Sequence, residues 1–171
     1  MTKKPVVLVT RKLPDSVEKK LQQDFEVMLN PTDRLFTTDE LVQLSQNVDA
    51  ILPCHTEKFP AETIAQLSSR VKAIANFSVG VDHVDLVAAK AKKIIVTNTP
   101  DVLSDATAEI ALLLILGAAR RASEGERIMR NQQWKDWSPA FMVGKQVTGK
   151  RLGILGMGRV GQVVARRARG F

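Results

Sequence analysis

Residues 153–171 read GILGMGRVGQVVARRARGF. Gly156, Gly158 and Gly161 form G-x-G-x-x-G between an apolar run, Leu152 to Leu155, and a segment whose Val160, Val163, Val164 and Ala168 recur at helical spacing. Alone the glycine pattern says little; a strand before it and a helix after it make it a phosphate-binding turn. The first glycine permits the tight turn, the second lets backbone approach a pyrophosphate, and the third lets helix and strand pack closely. N–H groups at the helix start, with the helix dipole, then hold negative charge. The competing reading is a glycine-rich strand-to-helix turn that binds nothing.

Upstream, residues 5–97 alternate short β-branched runs with helix-period segments. Val6 to Thr10, Phe25 to Leu29, Ala50 to Pro53, Val71 to Asn76 and Ile94 to Thr97 read as strands. Asp15 with Glu18 and Thr37 with Glu40 fit capping boxes, Pro60 suits a first helical turn, and Asp85 caps a helix to about Lys92. The alternation predicts an α/β fold with a parallel sheet covered on both faces. Ligands of such sheets lie beyond the carboxyl ends of the strands, which directs attention to the loops after Thr10, Pro53, Asn76 and Thr97. After Pro100, with Ser104 or Asp105 as N-cap, the pattern predicts one apolar helix of about 25 residues, about 37 Å long. An irregular segment containing Trp134 and Trp137 follows.

Composition limits the alternatives. With 171 residues, 44% of them hydrophobic, the chain is large enough for a buried core. Cys54 is the single cysteine, so no internal disulfide forms, and the start MTKKPVVLVT has no signal-like segment; a cytoplasmic location is the expectation. The run Ile110 to Leu116 is too short to cross a bilayer. The net charge of +7 arises in residues 144–171, which hold seven Lys/Arg and no Asp or Glu; the remainder carries 18 basic and 18 acidic groups. No aromatic residues interleave with those arginines, so neither a nucleic-acid nor a membrane partner is expected.

The loop after the fourth strand, NFSVGVDHVDL, contains Gly80, and the N–H groups of Val79, Gly80 and Val81 are candidates to converge on an anion such as a carboxylate. An empty turn capped by Asp82 or Asp85 is an equal alternative. His55 and His83 are the only histidines, and neither spacing nor neighbours give a metal site or a persuasive catalytic acid.

Taken together, SVGVDHVDL, VTNTPDVLSDATAEIALLLILGAARR, WKDWSPAF and KRLGILGMGRVGQVVARRARGF resemble, in order and spacing, the D-isomer-specific 2-hydroxyacid dehydrogenases. Within that family the glyoxylate/hydroxypyruvate reductase branch is most similar, and the resemblance extends over essentially the whole chain. It implies a flavodoxin-like substrate domain over residues 1–100. Residues 101–171 would form the long helix, a dimerisation arm and the first strand-turn-helix of an incomplete Rossmann NAD(P)-binding domain. Ser78, Val79 and Gly80 would hold the substrate carboxylate. Thr107 would lie against the cofactor, NAD or NADP, and Gly156, Gly158, Arg159, Val160 and Gly161 would bind its pyrophosphate. Residues 104–143 would make a homodimer in which Trp137 reaches the partner's substrate pocket. The family's catalytic arginine, glutamate and histidine belong to later sequence, so a truncated chain, inactive alone, is expected. A non-catalytic dimeric module that binds a small acid or other subunits is the alternative. In either case residues 145–171 are expected to be mobile, swapped or packed in a non-native way, because RLGILG lacks strand neighbours.

Overall fold

The computed structural model describes residues 3–171, which divide into two compact units meeting at Pro100 and Asp101. The first unit holds five short strands: β1 (Val6–Val9), β2 (Glu26–Met28), β3 (Ala50–Leu52), β4 (Ala73–Ala75) and β5 (Ile95–Thr97). Between them run α1 (Asp15–Asp24), α2 (Thr38–Ser45), α3 (Ala61–Gln66) and α4 (Leu86–Ala91). Every strand pair is parallel and the order is β2-β1-β3-β4-β5, the flavodoxin-like doubly wound arrangement. Each of the five strands predicted over residues 5–97 is present, trimmed at its ends.

β1 shows why this sequence chooses this sheet. Its four residues are all buried, and alternation divides them between two cores. Val6 and Leu8 join Ile51, Phe59, Ile64, Ile74 and Val84 on one face, while Val7 and Val9 join Leu13, with Leu21 and Phe25 packed against them, on the other. A strand apolar on both faces is stable only inside a covered sheet. The edge strand β5 leaves Ile95 largely exposed.

Two of the expected side-chain caps are present. Thr37 and Glu40 form a reciprocal capping box on α2, and the Asp85 side chain accepts from Ala88 N at 2.9 Å to cap α4. The box expected from Asp15 and Glu18 does not form. Pro14 occupies the N-cap, and Glu18 instead accepts from Leu13 N at 3.0 Å and from Lys12 Nζ at 2.6 Å.

In the second unit the single long helix is replaced by two, α5 (Ser104–Ala119) and α6 (Ala122–Arg130). The break is at Arg121, whose φ of 55° is left-handed and cannot continue a right-handed helix. Leu103 is the N-cap of α5, without a side-chain cap from Ser104 or Asp105. α7 (Arg159–Ala168) packs on α5 through Ala108, Val163 and Val164, and Arg167 reaches Glu109 at 2.6 Å and Asp105 at 2.9 Å. The strand expected over Leu152 to Leu155 is absent. Among the described residues nothing pairs with it, and Leu155 is fully exposed. A strand needs ladder partners for its backbone groups, and this run has none.

Candidate functional site

Four loops at the carboxyl ends of β1, β2, β3 and β4 are tied together. Arg11 donates to Asp33 through Nε and Nη2 (2.8 and 2.9 Å) and to the Thr56 hydroxyl through Nη1 (3.1 Å). A guanidinium only donates, so the Thr56 proton is free for Glu57 Oε2 at 3.1 Å, which also accepts from Cys54 N at 3.0 Å. Glu57 is buried, and its Oε1, like the Thr10 hydroxyl, has no hydrogen-bond partner among the described residues. The Arg11 guanidinium and Lys12 N hold the Asp33 carboxyl down at about 2. Burial pushes the Cys54 thiol up, away from thiolate character. Phe77 N donates to Pro53 O at 2.8 Å, joining the end of β3 to the loop after β4.

That loop, residues 77–82, bends at Phe77, Ser78 and Val79. Three successive carbonyls are engaged: Ser78 O accepts from Thr99 N (2.9 Å), Val79 O from Asn98 Nδ2 (2.7 Å), and Gly80 O from the Ser78 hydroxyl (2.7 Å). In a trans peptide the N–H points opposite to the C=O. Holding three successive carbonyls therefore turns the N–H groups of Val79, Gly80 and Val81 the other way. Among the described residues none of these three N–H groups has a hydrogen-bond partner. Unpartnered N–H groups on a bent backbone make this loop a candidate site for an anion.

The alternative of a turn satisfied by its own aspartates is not what the loop does. Asp85 caps α4, and Asp82 accepts no bond from the three N–H groups. The φ of Gly80 is not positive, so of the left-handed or otherwise tight backbone that glycine permits, the loop does not use the left-handed form. A Cβ at Gly80 would lie 3.2 Å from Asp82 Oδ2, a tight approach that the exposed carboxylate relieves by moving a few tenths of an ångström.

His83 anchors the loop's far end rather than facing outward. Asn76 Nδ2 donates to Thr97 O at 2.9 Å, which leaves Asn76 Oδ1 as acceptor for His83 Nε2 at 2.8 Å. The imidazole therefore carries its proton on Nε2. Burial, then nearby Lys58 and His55, lowers its pKa and favours the neutral ring. The backbones at Phe59 and at residues 83–85 bond to one another: Phe59 N donates to His83 O at 2.7 Å and Asp85 N to Phe59 O at 2.9 Å. Asn76, Asn98 and Thr99 were not singled out by sequence. The visible signal was only that Asn98 and Thr99 lie in the loop after β5, where ligands of such sheets are expected.

In the second unit the three glycines have distinct geometries. Gly156 has φ of 93°, which only glycine adopts cheaply. A Cβ on Gly161 would stand 2.3 Å from Gly156 O, so no side chain fits while α7 packs against the turn. Gly158, the α7 N-cap, faces open space. Gln162 Nε2 braces the turn by donating to Met157 O at 3.1 Å. Among the described residues the N–H groups of Arg159 and Val160, in the first turn of α7, have no partners, as at any helix start. The Arg159 side chain pairs with Asp101 at 2.6 Å. Thr107 is exposed on α5 and its hydroxyl donates to Leu103 O at 3.0 Å, so toward a ligand it can only accept. Trp137 is about three-quarters exposed, at 74%, beyond α6. No group of His, Cys, Asp or Glu among the described residues could hold a metal ion, and no helix is long and apolar enough to cross a membrane.

Residues 7–166 match the family model for the D-isomer specific 2-hydroxyacid dehydrogenase catalytic domain. A glycerate dehydrogenase of Hyphomicrobium methylovorum is 42% identical over the whole of this chain, which covers 53% of that protein. A glyoxylate reductase of Thermococcus onnurineus is 39% identical, with 98% of this chain and 51% of the relative aligned. Among solved structures, a protein from Polaromonas sp. JS6 66, described as a D-isomer specific, NAD-binding 2-hydroxyacid dehydrogenase, is 41% identical. It superposes with a TM-score of 0.91 over 97% of this chain and 52% of its own. The glyoxylate reductase of Paecilomyes thermophila is 29% identical with a TM-score of 0.78 over 99% and 53%. The chain thus spans about half the length of the curated relatives it matches. Its parallel sheet, its glycine turn and the family match over residues 7–166 make it a member of the D-isomer-specific 2-hydroxyacid dehydrogenase family.

Proposed function

We propose that this chain supplies the substrate-carboxylate nest and the pyrophosphate turn of an enzyme that reduces a small 2-oxo acid, glyoxylate or hydroxypyruvate, to the D-2-hydroxy acid with NAD(P)H. The observation that carries the reading is the loop 78–81, where three carbonyls are held and three N–H groups are left to an anion. A carboxylate accepting two or three backbone N–H bonds is bound and oriented without a cationic side chain. The relatives named as glycerate dehydrogenase and glyoxylate reductase support small hydroxy and oxo acids as the substrate class.

The glycine turn fits a dinucleotide: a left-handed Gly156, an open Gly158 and a close-packed Gly161 present the N–H groups of Arg159 and Val160 to a pyrophosphate, and the exposed Thr107 hydroxyl of the same unit is an acceptor for the cofactor. When bound, the nicotinamide supplies the hydride for the carbonyl carbon. The chain's own part is to hold the carboxylate at Ser78–Gly80 and the pyrophosphate at Gly156–Gly161. The proton that the developing alkoxide requires does not come from His83, which is buried, neutral and donating to Asn76. An acid and a substrate-binding arginine from outside these 171 residues complete the reaction, and the 171-residue chain alone is inactive. Residues 104–143 form a homodimer contact in which the exposed Trp137 meets the partner's substrate pocket.

Calorimetric titration of the chain with hydroxypyruvate and, separately, with NADH tests the reading. Saturable binding of the acid together with no reductase turnover is the expected result; absence of acid binding, or substantial turnover by the chain itself, contradicts it. A non-catalytic acid-binding module gives the same acid titration, and differs by forming no active species when mixed with the missing half of a relative.

A further inference from the structure

We infer that Asn98 is a positioning residue for the carboxylate nest, setting the orientation of the Val79–Gly80 peptide from a loop 19 residues away. The inference rests on the reading of the loop as the carboxylate site. Asn98 Nδ2 donates to Val79 O at 2.7 Å, and Thr99 N donates to the preceding carbonyl, Ser78 O, at 2.9 Å. Both donors come from the two residues that follow β5, so the edge of the sheet fixes two successive peptide planes of the loop after β4. A carbonyl pinned toward β5 puts the Gly80 N–H on the opposite side of its plane. Without the pin, the plane is free to rotate and to present Val79 O where the N–H stood.

The charge around the loop makes that rotation consequential. Asp82 Oδ2 lies 3.2 Å from the Cβ position of Gly80, so a carboxylate already stands beside the nest. An incoming anion is held against this repulsion only if the N–H groups all face it, and one carbonyl turned inward replaces an attraction by a second repulsion. The Ser78 hydroxyl, by contrast, holds Gly80 O from within the same loop, and moves with it. Asn98 is the side chain that ties the nest to a different strand.

The test is amide-resolved NMR on the 171-residue chain, comparing wild type with Asn98→Ala and the near-isosteric Asn98→Asp, which exchanges a donor for an acceptor. Without ligand, the Gly80 amide and Val79 carbonyl resonances shift in both variants, while the methyl resonances of Ile51 and Ile74 in the core stay in place. With oxalate as probe, affinity falls about five- to tenfold in Asn98→Ala, the scale of one hydrogen bond, and further in Asn98→Asp. An unmoved Gly80 amide, or equal oxalate affinity in all three proteins, overturns the positioning role. A wild type that ignores oxalate while its Gly80 amide responds to Asn98→Ala overturns the carboxylate reading and leaves the peptide clamp intact.

Discussion

Residues 3–100 and residues 101–171 are written in the same vocabulary of short apolar runs, glycine turns and amphipathic helices, yet the two behave differently. In the first unit VVLV becomes a central strand because β2 and β3 lie on either side of it, and its side chains enter two cores. In the second, the equally strand-like run at 152–155 makes no ladder and exposes Leu155 completely. What holds the second unit together is a small helix pair, Ala108 against Val163 and Val164, with Arg167 across its rim. Apolar β-branched composition thus proposes a strand, and neighbours decide it. Ile110, Leu113, Leu114, Leu152 and Met157 are also exposed, a concentration of apolar surface absent from the sheet unit's interior strands.

The strongest way to press on this contrast is to excavate each core. Ile51→Ala or Ile74→Ala, at fully buried sites, costs about 2–5 kcal/mol in chemical denaturation and unfolds the first unit. Val163→Ala costs less, about 1–2 kcal/mol, since fewer side chains surround it and it deletes less volume. Equal losses would show that the two regions are equally well packed. Next in size is Gly161→Ala. The new methyl meets Gly156 O at 2.3 Å, so α7 must move, with a loss of about 1–3 kcal/mol confined to the second unit and NADH binding abolished. Retained NADH binding would remove the pyrophosphate turn from the account.

A third effect separates the units by pH. His83 is kept neutral by burial, so its folded pKa lies below the unfolded value of about 6.5. The unfolded chain takes up a proton first as pH falls. Stability of the sheet unit is therefore full above about pH 6.5 and declines below it. His83→Gln, which still offers Asn76 a donor, removes that slope. Asp33 and Glu40, both held at about 2 by Arg11 and Arg34, contribute stability above the ordinary carboxylate range that is lost as pH falls from about 4 towards 2. Both carboxylates belong to the first unit, so acid should act there; a melting curve of the first unit flat between pH 7 and 5 would refute the His83 assignment. The smallest effect is expected of Arg167→Ala. Its partners Asp105 and Glu109 are well exposed and screened by solvent, so the melting temperature should barely move.

Much of this was legible from residues alone, and the exceptions share a cause. The five strands, the Thr37 cap and the Asp85 cap depend on local pattern, and each appears where the pattern puts it. The glycine turn was legible for the same reason, since the conformation of Gly156 and the closeness of Gly161 are built into the spacing. The failures depend on distant partners. Leu152 to Leu155 needed neighbours that the pattern cannot supply. The left-handed break at Arg121 has no local signature, because arginine is not a residue that favours that conformation. Glu18 was free to cap Asp15 but found Leu13 N and Lys12 instead. In the candidate site, Ser78, Val79 and Gly80 were legible as a loop, whereas Asn98 and Thr99, which orient it, act across a sheet register that only folding creates.

The carboxylate nest is the claim on which the functional account turns, and an amide-resolved titration of the intact chain with hydroxypyruvate measures it most directly. The account predicts saturable shifts at the amides of Val79, Gly80 and Val81, together with a weakened response in Gly80→Ala. Shifts confined to residues elsewhere, or a titration in which those three amides never move, would contradict it.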